Sequence, residues 1–263
     1  MGAAVAFTVF TKPWKESLEA LGERVSRLGF AGIELPVRSG YPVEPANVTR
    51  ELPRAARVLA GYGLRISSVA GPTDEATIAA CGEAGVPIIR ICPGIPRDRG
   101  YLEQEAKHRQ EYEQLVPLLD RHGVAIGVQN HNGRSVPNAL GILHLIERFE
   151  PKHICAVWDP AHCALDGELP ELAIDILWSH LRLVNFKNGL WRRANGPEAE
   201  VARYQTYWTS GRQGLCNWPD VVAQLQQRGY RGDVCLTAEY SDHEAVDRLI
   251  VEDLAFARSL FAG

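Results

Sequence analysis

The sequence predicts a closed (β/α)₈ barrel, and three observations predict it. Short apolar runs alternate with amphipathic stretches along the whole chain, and eight strand candidates can be counted. A glycine recurs where an amphipathic stretch ends and an apolar run begins, in SRLGFAGIELPV, LAGYGLRISSVAG, GEAGVPIIRICPG, DRHGVAIGVQNHNG and QQRGYRGDVCLTAEY. Glycine takes the left-handed conformation past a helix end at little cost, so each junction reads helix, cap, strand. The length, 263 residues, suits one such barrel of about 250 residues, and residues 1–263 are read as a single domain.

Taken in order, the first strand is expected at 4–10 and the first helix at 14–28, ending at Gly29. The second strand, 31–37, and third strand, 64–70, flank a helix at 47–61. A helix at 74–84 leads through Gly85 to the fourth strand, 86–92. The clearest helix is 102–121, because Leu102, Ala106, Tyr112, Leu115, Leu118 and Leu119 lie along one broad face. The fifth strand, 124–130, and sixth, 154–159, flank a helix at 138–149. A helix at 169–179 precedes the seventh strand, 181–187, and one at 218–228 precedes the eighth, 233–239. The last helix is expected at 243–261. Strands alternating with helices imply a parallel sheet, and eight such units favour closure over an open doubly wound sheet. No G-x-G-x-x-G follows the first strand, so a dinucleotide fold has no support. Residues 190–217 form a long connection carrying Trp191, Tyr204, Tyr207 and Trp208, and are read as a lid or as a contact between copies in a homo-oligomer.

The hydrophobic fraction of 46% and charged fraction of 23% are those of a soluble globular protein. The net charge is −4 with no basic block, which argues against a nucleic-acid partner. Six cysteines form no C-x-x-C pair and read as buried, reduced thiols of a cytoplasmic protein. The N-terminal apolar stretch lacks a basic flank and is too short to span a bilayer, so no membrane association is expected.

In a barrel, chemistry gathers where strands end. The last four strands end in AIGVQNHNG, AVWDPAH, LVNFKNG and LTAEYS. Side chains alternate along a strand, so Gln129 and His131 share one face, Asn185 and Lys187 another, and Thr237 and Glu239 a third, while Asp159 ends the sixth strand with His162 three residues on. The expected constellation is Gln129, His131, Asp159, His162, Asn185, Lys187 and Glu239. Asp159 and Glu239 would face each other across the mouth, and a cation or Lys187 would relieve their repulsion. Four oxygens, from Gln129, Asp159, Asn185 and Glu239, suit a divalent Mg²⁺ or Mn²⁺. The same residues also admit a metal-free cluster of acids and amides, with Asp159 capping the turn before Pro160 and His131 bonded within its loop.

At these residues the sequence resembles the sugar-phosphate isomerase/epimerase family, the xylose-isomerase-like barrels. TVFTKPW, GFAGIEL, DPAH, FKN, the run from Gly211 to Trp218, and RGYRG before AEY occur in order over nearly the whole chain. The resemblance implies Mn²⁺ or Mg²⁺ held by a Glu, an Asp, a His or Gln, and a Glu from the last four strands. Asp159 and Glu239 match, His162 matches a substrate-touching histidine, and Lys187 matches the family lysine. Gln129 stands for the first glutamate, Asn185 for the histidine and Asn188 for an aspartate. An amide cannot serve as a base at neutral pH, so one of the family's two proton-transferring glutamates is missing.

The expected activity is a sugar or keto-sugar isomerase or epimerase abstracting a proton beside a carbonyl. Glu239 is the expected base, His162 orients or protonates the substrate oxygen, and Lys187 or a cation takes the enolate charge. His131, Asn185, Trp191 and Arg192 are expected to touch a small carbohydrate. A one-base lyase or dehydratase on a keto-sugar or inosose, and a sugar-binding protein that has lost catalysis, are the rival readings.

Overall fold

A computed structural model describes residues 5–262, so residue 4, where the first strand is expected to begin, lies outside the described residues. The chain enters as β1 (Ala6–Phe10). Ser17 then starts α1 (Leu18–Leu28) by accepting a hydrogen bond from Ala20 N–H, and Gly29 closes it at φ +87°. There follow β2 (Gly32–Pro36), a 3₁₀ turn at Pro45–Asn47, α2 (Val48–Ala60), β3 (Arg65–Ala70), α3 (Glu75–Ala84) and β4 (Ile88–Ile91). Next come α4 (Tyr101–His122), β5 (Ala125–Gln129), α5 (Ala139–Ile146) and β6 (Ile154–Trp158). Two short helices, α6 (Pro160–Leu165) and α7 (Pro170–Leu177), stand where one is expected. The chain continues through β7 (Leu181–Phe186), β8 (Asn188–Arg193), β9 (Tyr204–Thr209), α8 (Trp218–Gln227), β10 (Asp233–Leu236) and α9 (Val246–Ala262).

Eight parallel strands close into a barrel in the order β1-β10-β7-β6-β5-β4-β3-β2, the expected fold. Alternation along the strands makes two cores. Phe10, Ala70, Ile88, Ala125, Cys155, Val157, Leu183 and Cys235 fill the interior. The opposite strand faces pack on the helices through residues such as Ile33, Ile126, Trp158 and Phe186. Gly127 must be small: a Cβ there would sit 2.6 Å from a Val157 methyl and 2.8 Å from an Ile88 methyl. No helix among the described residues is long and apolar enough to cross a membrane.

In the long connection β8 and β9 pair as an antiparallel hairpin from Asn188↔Thr209 to Arg193↔Tyr204, and two expectations are corrected. The inner face of α4 carries Gln104, Glu105, Tyr112 and Leu119, while Leu102 and Ala106 are exposed. The buried Glu105 is held there by Arg109 and His144, so ion pairing rather than apolar periodicity seats the first turns. The eighth barrel strand stops at Leu236 rather than at 239, because Ala238 adopts φ +50°.

Candidate functional site

The same two-residue period that builds the inner core carries polar side chains to its top. Above Ala125 and Gly127 stands Gln129; above Cys155 and Val157 stands Asp159; above Leu183 stands Asn185, then Lys187. Gln129, His131, Asn185, Lys187, Thr237 and Glu239 line one cavity of about 240 Å³, together with Phe10, Lys12, Arg38, Arg90 and Cys92. The convergence of the fifth, seventh and eighth strand tips is thus as read, and Asp159 lies directly beneath.

A chain of amides forms the floor. Asn185 Nδ2 donates to Gln129 Oε1 at 2.9 Å, and Gln129 Nε2 donates to Asp159 Oδ2 at 3.0 Å. Asp159 Oδ1 accepts from the N–H groups of Ala161 and His162, so the same carboxylate starts α6. Burial pushes the Asp159 carboxyl above its ordinary range, with the Lys187 ammonium opposing.

Lys187 is the hub. Its Nζ lies 3.0 Å from Glu239 Oε2 and 3.6 Å from Asp159 Oδ2, and 4.1 Å from the centre of the Trp208 ring. Burial works against this ammonium, but the Asp159 and Glu239 carboxylates outweigh it and hold the group protonated. Glu239 is gripped a second time by Lys12 Nζ, 2.6 Å from Oε1. Burial pushes the Glu239 carboxyl up, yet Lys187 and Lys12 prevail and hold it at about 2. The left-handed Ala238 turns Glu239 into this clasp, at a conformational cost of about 1–2 kcal/mol for a residue with a Cβ.

The two histidines have separate stations. His131 Nδ1 donates to Asn132 O at 2.9 Å, which leaves Nε2 unengaged on a ring that lines the cavity. His162 is fully buried and does not line it. Its Nδ1 accepts from Asn132 N–H, so its proton sits on Nε2, which makes no hydrogen bond and lies 3.7 Å from Asp159 Oδ2. Burial, with Lys187 nearby, keeps that imidazole neutral. Its ring packs 4.0 Å from that of His131 and edge-on to Trp208. The expectation that His162 touches substrate is therefore corrected: it backs His131 instead.

Trp191 and Arg192 are also corrected. Both are exposed; Trp191 Nε1 donates to Leu165 O, and Arg192 lies over Tyr207. Neither lines the cavity, and the hairpin residue that lies against Lys187 is Trp208. Lys12, Arg38 and Arg90 are site residues sequence reasoning missed, while Trp208 is one of the aromatics expected in the lid. A signal existed for two of them: Lys12 is in phase with the interior Phe10, and Arg90 with the interior Ile88. Charges inside apolar runs such as VPIIRIC and AGIELPV flag buried pairing, and Arg90 indeed forks onto the fully buried Glu34.

The donor set does not fit the expected Mg²⁺ or Mn²⁺. Both Glu239 oxygens and Asp159 Oδ2 already face ammonium groups, and Gln129 turns its N–H toward Asp159. A divalent ion among these oxygens would press against Lys187. Asn185 Oδ1 and Thr237 Oγ1 are the buried oxygens of the cavity lining without a partner among the described residues, far short of the six or more a hard cation takes. Among the described residues no group of three His, Cys, Asp or Glu side chains is placed to hold a metal.

Comparison with known proteins identifies the family. The family described as xylose isomerase-like TIM barrel matches residues 23–260. No curated protein matches the chain. Similar solved structures include a xylose isomerase domain protein from Planctomyces limnophilus, at 17% identity and TM-score 0.73, covering 99% of this chain and 98% of that one. The 3-keto-D-glucoside 4-epimerase YcjR from E. coli is similar at 13% identity and TM-score 0.73, over 97% and 99% of the two chains. The probable 3-DHS dehydratase AsbF from Bacillus anthracis is similar at 15% identity and TM-score 0.75, again over 97% and 99%. At these identities the likeness is one of fold, while the match over residues 23–260 is one of family: the chain belongs to the xylose isomerase-like TIM barrels.

Proposed function

We propose that this protein is an isomerase or epimerase of a sugar or keto-sugar, acting by proton abstraction beside a carbonyl. One observation carries the reading: Lys187, a buried ammonium, lies against Glu239 in the same small cavity that His131 enters from the opposite strand tips. A fixed cation beside a carboxylate is the pairing that enolate formation needs, since one receives the developing oxyanion and the other the proton.

In this mechanism the substrate carbonyl oxygen takes an N–H of Lys187. That donation diverts the ammonium from Glu239, whose basicity then rises as the proton on carbon becomes more acidic. Lys12, the partly exposed member of the clasp, yields its contact as substrate enters. His131 Nε2 exchanges the second proton from the β5 side and replaces the glutamate that Gln129 cannot supply. His162 and the Asn132 carbonyl hold that ring in place. Trp208 roofs Lys187 and excludes water. No metal is assigned a step. A dehydratase reading has one observation in its favour, the amide at 129: with Glu239 as the only carboxylate base, loss of a β-hydroxyl protonated by His131 completes the reaction.

The test is proton exchange in D₂O, read by NMR on a panel of ketoses and keto-glycosides. We expect deuterium to enter the carbon beside the carbonyl, at a rate unchanged by exhaustive chelation. Glu239→Gln and Lys187→Met should each lower it by about 10²-fold or more, in the range general acid–base and oxyanion groups supply. Full exchange by Glu239→Gln, or dependence on added Mn²⁺, would overturn the assignment. Release of water in step with exchange would decide for the dehydratase.

A further inference from the structure

The mouth carries one positive charge more than its own carboxylates neutralise. Lys12 and Lys187 are taken by Glu239 and Asp159, and Arg90 by Glu34. Arg38 lines the same cavity and forms no ion pair with any described residue. Four cations thus meet three carboxylates.

The unpaired charge is placed, not scattered. Arg38 and Arg90 lie over the same Phe10 ring, at 5.6 and 4.8 Å from its centre. Both also line a second cavity of about 410 Å³ next to the first, with Val37, Gly71, Pro72, Ile91 and Cys92, and no acidic side chain lines it. Arg90 is nearly buried; Glu34 takes Nε and Nη2, while Nη1 contacts only the Cys92 sulfur at 3.6 Å. Two guanidinium groups held on one ring repel each other unless an anion lies between them, and their planar forks suit bidentate oxyanions.

We infer that the Arg38–Arg90 end of the mouth is an anion subsite, and that the substrate is a keto-sugar acid whose carboxylate binds there while its carbonyl reaches Lys187. This rests on the proton-transfer reading for the carbonyl end; the anion end stands on its own charges. A carboxylate is favoured over a phosphate because one unmatched positive charge calls for a single negative one, whereas a phosphate monoester carries close to two.

Titration calorimetry with hexuronates, the matching neutral hexoses and hexose 6-phosphates tests it, alongside exchange in D₂O on the same panel. We expect the hexuronate to bind at least tenfold more tightly than the neutral hexose. Arg38→Gln, at an exposed position whose variant should unfold at the wild-type temperature, should erase that preference. Equal affinity for acid and neutral sugar overturns the subsite, and tighter binding of the 6-phosphate overturns the carboxylate assignment. Selective hexuronate binding that Arg38→Gln abolishes, with no exchange at carbon, sustains the subsite and sinks the isomerase reading instead.

Discussion

At the scale of single residues, the amides of this site are chemically matched rather than damaged carboxylates. Gln129 must accept from Asn185 and donate to Asp159 at once, which a glutamate cannot do. Gln129→Glu should therefore cost about 2–4 kcal/mol in urea unfolding, by setting a second carboxylate against Asp159 in a buried place. The same change supplies an oxygen ligand, so added Mn²⁺ should raise the variant's unfolding temperature and leave the wild type unmoved; a response by the wild type would contradict the lysine-centred site. Strand alternation made Gln129, Asn185 and Lys187 legible in advance, because parity along a strand is a local property, whereas Glu239 lies past its strand's end and reaches the site through the Ala238 turn. Strand parity also pointed Lys12 inward, but its meeting with Glu239, like that of Trp208 with Lys187, depends on chain segments far apart in sequence.

At the scale of elements, the hairpin of β8 and β9 is organised by one buried amide. Asn188 donates both Nδ2 hydrogens, to Gly211 O and Cys216 O, and its Oδ1 accepts from Gly189 N–H and Cys216 N–H. Gly214 leaves the room this needs, since a Cβ there would fall 2.0 Å from Asn188 Oδ1. Asn188→Asp keeps the acceptor, strips both donors and buries a charge against two carbonyls. A loss of about 3 kcal/mol or more by denaturant unfolding is expected, with loosened cover over Lys187. A near-neutral change would mean that the loop finds another anchor. The long connection was noticed for its aromatics, but its strand pairing escaped because Tyr204–Thr209 alternates without a strong apolar face.

At the scale of the whole molecule, Asp253 on α9 ties the last helix to the barrel top, accepting from Gly211 N–H and from the Tyr240 hydroxyl. Burial pushes its carboxyl up to about 6, against those two donors. The folded chain then holds this proton more tightly than the unfolded chain, whose carboxyl titrates near 4, so this group's contribution to stability falls as pH rises from about 4 to about 6. Asp253→Asn should gain on the wild type by on the order of 2 kcal/mol between pH 4 and pH 7, read from urea midpoints at both values; a difference independent of pH would refute the shift. The eight barrel strands, their parallel run and the inward parity that brings Gln129, Asn185 and Lys187 to the mouth were determined by the sequence alone, because apolar period and glycine caps act over a few residues. Which ammonium answers which carboxylate, that Ala238 bends Glu239 into the clasp, and that Arg38 is left without a partner were decided only by the tertiary structure. Charges choose their partners through space, and barrel closure sets those distances.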